Sequence, residues 1–474
     1  MTWLLIVDPA AQANHGVFGA PVRLPATTCT APGGCVPASP YVFHLDIEAA
    51  PTNYAIRGDY PDVLLSKGDP CISLGSPGAG CVDELLTQSP IGTFTAAPLP
   101  WVTADLCPQI TRDAEFADLD IDNDVDIVAV SLDDQGTPTP IRRGWVQVLR
   151  NGGTGTYTDV TASSILSGFN NFRGNWTDVE LADIDGNGLK DILLVQDVCG
   201  PFWTQVGAPP CPTPAAAFHP ESFHVLLNGV SGNPPGVFAW VMPLSGCYPF
   251  LTSRAQDLEV CDLDEDMDLD VVIANAGSTQ TSIPGSYLLE NTGPGGGCPF
   301  QLVLRPFQMT PQRYINWTIT DLSMDVECAD VDGNGYADVY IANTPDIVTL
   351  PTPTTVGQDR LYLNMGGMVF AEGTFAQLIV ESDPGQDAEF GDVNGDLRPD
   401  LLVINSPTYH IGGPPFCNVV PPVHRVAQTG MEMGRRPRTS DMTRSWARSW
   451  PDRCNRRAWW GGTSEPRNGR PSRM

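Results

Sequence analysis

One phrase, written five times, constrains this chain more than any other feature. It reads DAEFADLDIDNDVDIVAV from Asp113, DVELADIDGNGLKDILLV from Asp178 and DLEVCDLDEDMDLDVVIA from Asp257. It returns as DVECADVDGNGYADVYIA from Asp325 and DAEFGDVNGDLRPDLLVI from Asp387. The last Asp of each copy falls at 126, 191, 270, 338 and 400, in steps of 65, 79, 68 and 62 residues. Self-similarity at a near-constant period marks a repeat architecture, in which each copy is one supersecondary unit that buries its apolar face against its neighbours. A worn sixth copy lies upstream. Arg57-Gly58-Asp59-Tyr60-Pro61-Asp62 parallels Asn394-Gly395-Asp396-Leu397-Arg398-Pro399-Asp400, and Asp62 sits 64 residues before Asp126.

Each apolar run is followed by a second recurring phrase: WVQVLRNGGTGTY from Trp145, FHVLLNGVSG from Phe223, SYLLENTGPGGG from Ser286 and RLYLNMGGMVF from Arg360. These are strand-like runs that end in Asn and then turn on glycines. One unit therefore holds a strand, an acidic loop, a second strand, a variable loop, a third strand, a tight turn and a final edge. That is a four-stranded antiparallel sheet of about 65 residues. Helix-period stretches are almost absent, which argues against βαβ folds. The expected fold is all-β, a β-propeller of four-stranded antiparallel blades, because radial repetition leaves few open sheet edges. Six blades are recognisable. The expected divisions are an ill-defined segment 1–40, the propeller 41–427 and an Arg/Trp-rich tail 428–474.

The acidic loops carry the chemistry. Numbered from the first Asp after the first strand, their oxygens fall at positions 1, 3, 5 and 9. The clearest copies are Asp183, Asp185, Asn187, Asp191 and Asp330, Asp332, Asn334, Asp338. The others are Asp118, Asp120, Asp122, Asp126; Asp262, Asp264, Asp266, Asp270; and Asp392, Asn394, Asp396, Asp400. Alternate spacing turns hard oxygen ligands inward around one cation, and calcium accepts six to eight oxygens in a flexible cage. Position 6 must turn sharply; Gly188 and Gly335 occupy it in two loops, Asn123 and Met267 in two others. An EF-hand closes with Glu at position 12. Here position 12 is Ala129 or Leu194, inside an apolar strand, so closure falls to the Asp at position 9. The pattern predicts about five structural calcium sites. The Glu of the D-x-E that opens each phrase (Glu115, Glu180, Glu259, Glu327, Glu389) reads as a bond to a neighbouring blade's backbone. The alternative is a ring of carboxylates near a central channel.

Composition agrees. The net charge is −29, and residues 1–424 carry 14 Lys and Arg against 51 Asp and Glu. A body this acidic repels nucleic acid and anionic lipid. No apolar run reaches the length of a membrane-spanning helix. Of thirteen cysteines, Cys29/Cys35, Cys71/Cys81 and Cys199/Cys211 lie close together in Gly/Pro-rich loops, the spacing of disulfides formed in an oxidising compartment. Cys261 and Cys328 fall in strand-like segments and read as small buried hydrophobes. The opening MTWLLIVDPAAQA is a poor export signal, with a short apolar run and no preceding Lys or Arg.

The phrase D-x-D-G-N-G-x-x-D followed by three apolar residues, with the Asn-Gly-rich strand after it, resembles the FG-GAP/VCBS repeat family, the blades of integrin-α-like propellers. The resemblance covers roughly residues 44–425. It implies a closed ring, seven-bladed in integrins, with calcium bound structurally between a blade's first two strands and ligands bound by loops elsewhere. The Arg57-Gly58-Asp59 tripeptide could be taken for an integrin-recognition motif; its register makes it a decayed metal loop instead. Enzyme signals are poor: six His are scattered, His219 and His224 have weak metal spacing, and no HExxH, P-loop or GxSxG occurs. Asn175 and Asn316 begin glycosylation sequons. The expected function is an extracellular or cell-surface, monomeric binding or adhesion module, with a protein or carbohydrate ligand and no nucleic acid or transmembrane segment. Recognition is expected in the long loops 200–222, 278–285 and 344–358. A propeller-fold hydrolase or lyase using acids at the channel mouth is the alternative.

The tail breaks this grammar. From about Gln428 the chain becomes rich in Arg and Trp, and residues 425–474 hold 12 Arg against four acids, while the whole chain has two lysines. Aligning His424-Arg425-Val426 with Asp359-Arg360-Leu361 puts the expected Asn at Thr429. Codons for Gln428-Thr429-Gly430-Met431-Glu432-Met433-Gly434, read from the third base of the Gln codon, permit Asn-Gly-Asp-Gly-Asn-Gly, the missing turn. A reading-frame slip near Ala427 accounts for the lost strand and any seventh blade. Resequencing the gene is expected to show a one- or two-base indel there, with further D-x-D-G phrases in the shifted frame; an intact frame, leaving a genuine basic tail, overturns this.

Overall fold

The alternation of each phrase dictates its place in a sheet. The structure, a computed structural model, describes residues 3–4, 22–23, 43–50, 62–68, 83–88, 94–100, 110–132, 144–153, 155–166, 174–198, 221–241, 246–276, 285–305, 308–309, 321–345, 359–374, 385–391, 398–405 and 425–427. Apart from one small pair, Trp3–Leu4 with Val22–Arg23, the strands form six sheets in chain order. Sheet one comprises Phe43–Ala50, Asp62–Gly68, Glu84–Gln88 and Phe94–Pro98. Sheet two comprises Ile110–Ala117, Asp126–Leu132, Val146–Asn151 and Tyr157–Asp159. Sheet three comprises Trp176–Ala182, Asp191–Gln196, Phe223–Asn228 and Phe238–Val241. Sheet four comprises Ala255–Cys261, Asp270–Asn275, Tyr287–Asn291 and Leu302–Arg305. Sheet five comprises Asp321–Ala329, Asp338–Pro345, Arg360–Asn364 and Val369–Glu372. Sheet six shows three strands among the described residues: Gly385–Gly391, Asp400–Asn405 and Arg425–Ala427. Within each sheet, consecutive strands pair antiparallel. Among the described residues the helical content is one turn at Thr161–Ser164 and a short 3-10 turn at Val230–Gly232.

The register is the same in all six sheets. The small residue that ends the first strand pairs with the Asp that opens the second: Ala50 with Asp62, Ala117 with Asp126, Ala182 with Asp191, Cys261 with Asp270, Ala329 with Asp338 and Gly391 with Asp400. Asp62 thus occupies the place its spacing predicts, although residues 57–59 lie outside the described residues. Sheet one also carries Asp46-Ile47-Glu48, an upstream D-x-E that the sequence reading passed over. Each first strand bulges immediately before this Asp, where the partner register slips by one residue. A bulge re-aims the side chains that follow it.

Period-two alternation makes both faces of the inner sheets apolar. Ile192 and Leu194 join a buried cluster with Val128, Val130, Val146 and Val148 of sheet two, whereas Leu193 and Val195 join another with Leu258, Val271 and Ile273 of sheet four. The same division recurs from sheet four to five and from five to six. Each fully buried Leu, Ile, Val or Phe contributes roughly 1.5–3 kcal/mol. The sheets therefore stack face to face.

Polar bonds fix the stacking. Asp113 accepts the backbone N–H of Val179 at 2.8 Å, Asp178 that of Leu258 at 3.0 Å, and Asp257 that of Val326 at 2.8 Å. Each bond joins one sheet's first strand to the next. The D-x-E therefore binds a neighbouring backbone through its Asp, where the spacing pointed to its Glu: the bulge points the Asp at the next sheet. Just before the first strand of sheet four, the buried Arg254 pairs at 3.0 Å with buried Asp197, which follows the second strand of sheet three, with Gln256 on the same carboxylate.

The connecting segments lace along the outer strand of the next sheet. Ile165 forms a parallel bridge to Phe238, and Gln308–Met309 pairs in parallel with Val369 and Phe370. Cys247 takes the same place on sheet four, where its carbonyl accepts Leu302 N–H and its sulfur is bonded to Cys298. Cys261 and Cys328, expected to be separate buried hydrophobes, are instead bonded to each other and link the first strands of sheets four and five. Stacking brings those two strands side by side. The pairs expected at Cys29/Cys35, Cys71/Cys81 and Cys199/Cys211 lie outside the described residues. Replacing Cys247 and Cys298 by Ser is expected to cost about 2–5 kcal/mol, read as a lower urea midpoint under non-reducing conditions; an unchanged midpoint would show that the lacing holds without its covalent fastening.

Candidate metal centres

The first strand delivers the position-1 Asp, and the second strand starts at the position-9 Asp. Eight residues must therefore turn the chain through a hairpin while keeping their carboxylates together. Backbone amides do much of the folding. In sheet three, Asp183 accepts the N–H groups of Asn187 (2.9 Å) and Gly188 (2.7 Å), Asp185 accepts Asn187 N–H (3.1 Å), and Asn187 accepts Leu189 N–H (2.8 Å). Sheet five repeats this with Asp330, Asp332 and Asn334. Sheets two and four hold Asp118 and Asp262 by the N–H groups of Asn123 and Met267. These short-range bonds are the Asx turns that Asp and Asn favour.

The backbone is left-handed twice in each of the four described loops, at position 6 as expected and also at position 4. Gly186, Gly188, Gly333 and Gly335 accept this without a Cβ penalty. In sheets two and four the same places fall to Ile121 (φ 62°) with Asn123 (φ 67°), and Glu265 (φ 65°) with Met267 (φ 74°). A β-branched Ile there stores strain that its surroundings must offset.

Four groups of carboxylates result, each with one oxygen per residue within 4.8 Å of the others: Asp118, Asp120 and Asp122; Asp183, Asp185 and Asp191; Asp262, Asp264 and Asp270; Asp330, Asp332 and Asp338. The second-sheet group omits Asp126, and its Asp120 is paired with Arg150 at 3.0 Å. Asp266 stays outside the fourth-sheet group. Asn187 and Asn334 each direct an amide N–H to a third-strand carbonyl, that of Asn228 or Asn364. Asp392, Asn394 and Asp396 lie outside the described residues, whereas Asp400 is buried at the start of its strand.

The donor set suits a hard divalent cation. Every member is an oxygen, and Asp120 Oδ1 and Asp262 Oδ1 are buried acceptors with no hydrogen bond. A cation at those oxygens supplies the missing partner. Such an ion would be held by the three carboxylates of each group, with backbone carbonyl or water oxygens completing the shell. His224, by contrast, is buried between Trp176 and Trp240 and belongs to none of the four groups, and His219 lies outside the described residues. Asn175 of the first sequon is buried and donates to the Asp197 carbonyl, so the folded chain does not offer it as a glycan acceptor; Asn316 lies outside the described residues.

The position-9 Asp is the pivot. Each is almost completely buried, and its two oxygens accept two backbone N–H groups. Asp191 takes Ile184 N–H (3.1 Å) from its own loop and Asn228 N–H (2.7 Å) from the third strand. Asp126, Asp270 and Asp338 do the same with Leu119/Asn151, Leu263/Asn291 and Val331/Asn364. The third-strand Asn then reaches across to the preceding sheet. Asn228 Nδ2 donates to Leu119 O (2.8 Å), Asn291 to Ile184 O (3.0 Å) and Asn364 to Leu263 O (2.7 Å). Leu119, Ile184 and Leu263 are loop position 2, and their side chains plug the apolar interface with that same next sheet. The acidic loops of sheets two, three and four are thereby fastened to the sheet that follows. The sequence signal was present, an Asn ending the third strands of sheets two to five, but it read only as a turn residue.

Burial pushes these pivots up: Asp126 and Asp270 to about 7, Asp191 to about 8, Asp338 to about 6. Neighbouring carboxylates, such as Asp185 and Asp183 beside Asp191, add to the rise, while the two N–H bonds oppose it.

Residues 118–194, from the sheet-two loop to the second strand of sheet three, match the family model described as FG-GAP-like repeat. No curated protein matches the chain.

Two outcomes are expected. Asn291→Ala strips Ile184 O of its donor and Gly293 N–H of its acceptor. It should cost about 1–3 kcal/mol and weaken cation binding at the sheet-three loop, which Asn291 does not itself ligate; unchanged affinity there would uncouple loop from neighbour. For pH, a carboxyl whose folded pKa exceeds its unfolded one binds more protons when folded, so stability falls as pH rises between the two values. In EDTA the melting temperature should therefore rise as pH drops from 8 towards 5, and saturating divalent cation should flatten that slope. A metal-free melting temperature that falls over this window would refute the assignment.

Proposed function

We propose that this chain is an extracellular calcium-binding β-propeller that acts as a binding or adhesion module and not as an enzyme. One observation carries the reading: a group of three carboxylates recurs at the same loop, in the same strand register, in four consecutive sheets, built on positions 1, 3 and 9 in three of them. A structural cation repeated once per sheet stabilises a scaffold, whereas a catalytic centre needs one convergent site.

Ring closure is supported by the electrostatics of the first strands. These strands touch in sequence from sheet one to sheet six. Asp387 of sheet six nevertheless feels Arg112 and Asp113 of sheet two, so the series curves back upon itself. Calcium is favoured over magnesium because the cage is built of flexible carboxylates and a turning backbone, whereas magnesium demands near-ideal octahedral geometry. Two disulfides, one between sheets and one fastening a connector, favour an oxidising compartment, where extracellular modules bind calcium with dissociation constants of roughly 10⁻⁴–10⁻³ M. The second-to-third-strand connections leave the end of each sheet opposite the acidic loops. They include most of 200–222, 278–285 and 344–358, which lie largely outside the described residues, and there we place the protein or carbohydrate ligand. No helix among the described residues is long and apolar enough to cross a membrane.

Calcium that binds only the folded chain stabilises it by about 2.7 kcal/mol per site at a hundredfold excess over the dissociation constant. EDTA should therefore lower the melting temperature, calcium should restore it, and magnesium should restore it poorly. Asp185→Ala or Asp332→Ala should reduce the calcium-dependent rise. A melting temperature indifferent to EDTA removes the metal reading. A glycan and matrix-protein array, run with and without calcium, tests the binding role; turnover of an arrayed polysaccharide without retention would favour the hydrolase or lyase class instead.

A further inference from the structure

The residue before each third-strand Asn stands beside the acidic loop, and its charge differs from sheet to sheet. Leu149, Leu226, Leu289 and Tyr362 each pair with the residue after a position-9 Asp, so Arg150, Leu227, Glu290 and Leu363 hold one equivalent place. The turn after the Asn folds onto loop position 7: a Cβ at Gly153 would stand 2.7 Å from Asp124, and one at Gly293 would stand 2.8 Å from Asp268. The end of the third strand therefore lies along the loop. In sheet two this brings Arg150 Nε to 3.0 Å from Oδ2 of Asp120, at loop position 3. In sheet four it brings a carboxylate instead, and Glu290 acts on Asp264, again at position 3. Sheets three and five put an uncharged Leu in this place.

The Arg150–Asp120 pair is built into an interface. Arg150 Nε is buried, and the Asp120 side chain is only 14% exposed. The next sheet closes over both. Gly236, in the turn before the fourth strand of sheet three, lies so near that a Cβ would stand 2.4 Å from Arg150 Nη2 and 2.9 Å from Asp120 Cβ. Gly236 is itself held in place, because its N–H donates to Asn228 Oδ1 at 2.8 Å. The sheet-two loop also lacks a closing ligand: Asp126 stays outside its group, whereas Asp191, Asp270 and Asp338 join theirs.

We propose, resting on the reading of these loops as calcium centres, that Arg150 is an affinity-setting residue, which holds the sheet-two centre below the other three so that it fills last. Calcium affinity follows the charge count of the ligands. A guanidinium on Asp120 Oδ2 neutralises part of that charge before any ion arrives, and it repels the ion directly. The pair need not break on binding, since Asp120 Oδ1, a buried acceptor with no hydrogen bond, remains for the cation. The same guanidinium lies under the Gly236 turn of sheet three, so the sheet-two centre and the junction between these two sheets respond together to free calcium. That response falls in a higher concentration range than the filling of the other three centres.

The test is equilibrium dialysis of the full chain against calcium alone at increasing free concentration, with bound calcium per chain measured by elemental analysis. The native chain should show a last equivalent that needs more free calcium than the rest, and Asp118→Asn should remove that equivalent and leave the tighter ones. Arg150→Leu, which installs the residue that sheets three and five carry, should tighten the last equivalent about threefold to tenfold. Arg150→Lys keeps the charge and should keep the equivalent weak, which a packing role for the guanidinium does not predict. Should Arg150→Leu fail to fold by circular dichroism, Arg150→Gln makes the same comparison. An isotherm unchanged by removal of the Arg150 charge overturns the inference and leaves the calcium centres standing. A native chain that binds no calcium refutes the centres themselves, and this inference with them.

Discussion

Three carboxylates held within 4.8 Å of one another are the constraint on which the rest of this structure depends. At an effective dielectric constant of about 20, each such pair repels by roughly 3 kcal/mol. A backbone N–H donated to a carboxylate returns about 1.5–3 kcal/mol, so the amides that line every loop offset a good part of the repulsion. They do not complete it, since Asp120 Oδ1 and Asp262 Oδ1 remain without a donor. A divalent cation would close that gap, and the acidity of the chain follows in large part from repeating the arrangement from sheet to sheet.

The consequence spreads outward because the loop is not a free appendage. The position-9 Asp ties the loop to the third strand, and the third-strand Asn ties it to the loop of the preceding sheet. Nearer the start of the first strand, the Asp of D-x-E ties sheets two, three and four each to the next. Apolar stacking supplies most of the attraction, but it is non-directional. The paired latches set the rotation and height at which neighbouring sheets meet. Ordering one loop should therefore steady two sheets, which is why a structural cation is an economical device in a repeat protein whose units touch mainly their neighbours.

Much of this was legible in the chain. The five phrases located the sheets, the strand order and the loops, because apolar alternation and turn residues act locally. The worn sixth copy was found through Asp62, which does sit in the shared register. What was hidden depends on contacts between sheets. Nothing in the spacing shows the bulge that points Asp113 or Asp178 across an interface, so the bond was assigned to the Glu. Cys261 and Cys328 are 67 residues apart and look like core residues until stacking brings their strands together. Cys247 and Cys298 carried no motif, because their link fastens a connector whose path is set by the outer strand of the next sheet. Position 4 of the loop passed unnoticed because Ile121 and Glu265 disguise a left-handed place that Gly186 and Gly333 reveal.

The central claim is that each of the four described loops is a metal centre, and that those of sheets two, three and four are fastened to the sheet that follows. Crystals of the full chain grown with calcium, and a second set with manganese for stronger anomalous scattering, test it most directly. The account predicts an anomalous peak inside each of the four carboxylate groups, at calcium–oxygen distances of about 2.3–2.6 Å, with the Asn228, Asn291 and Asn364 bonds to the preceding loops intact. Loops that keep their fold with no peak at any of the four groups would contradict it.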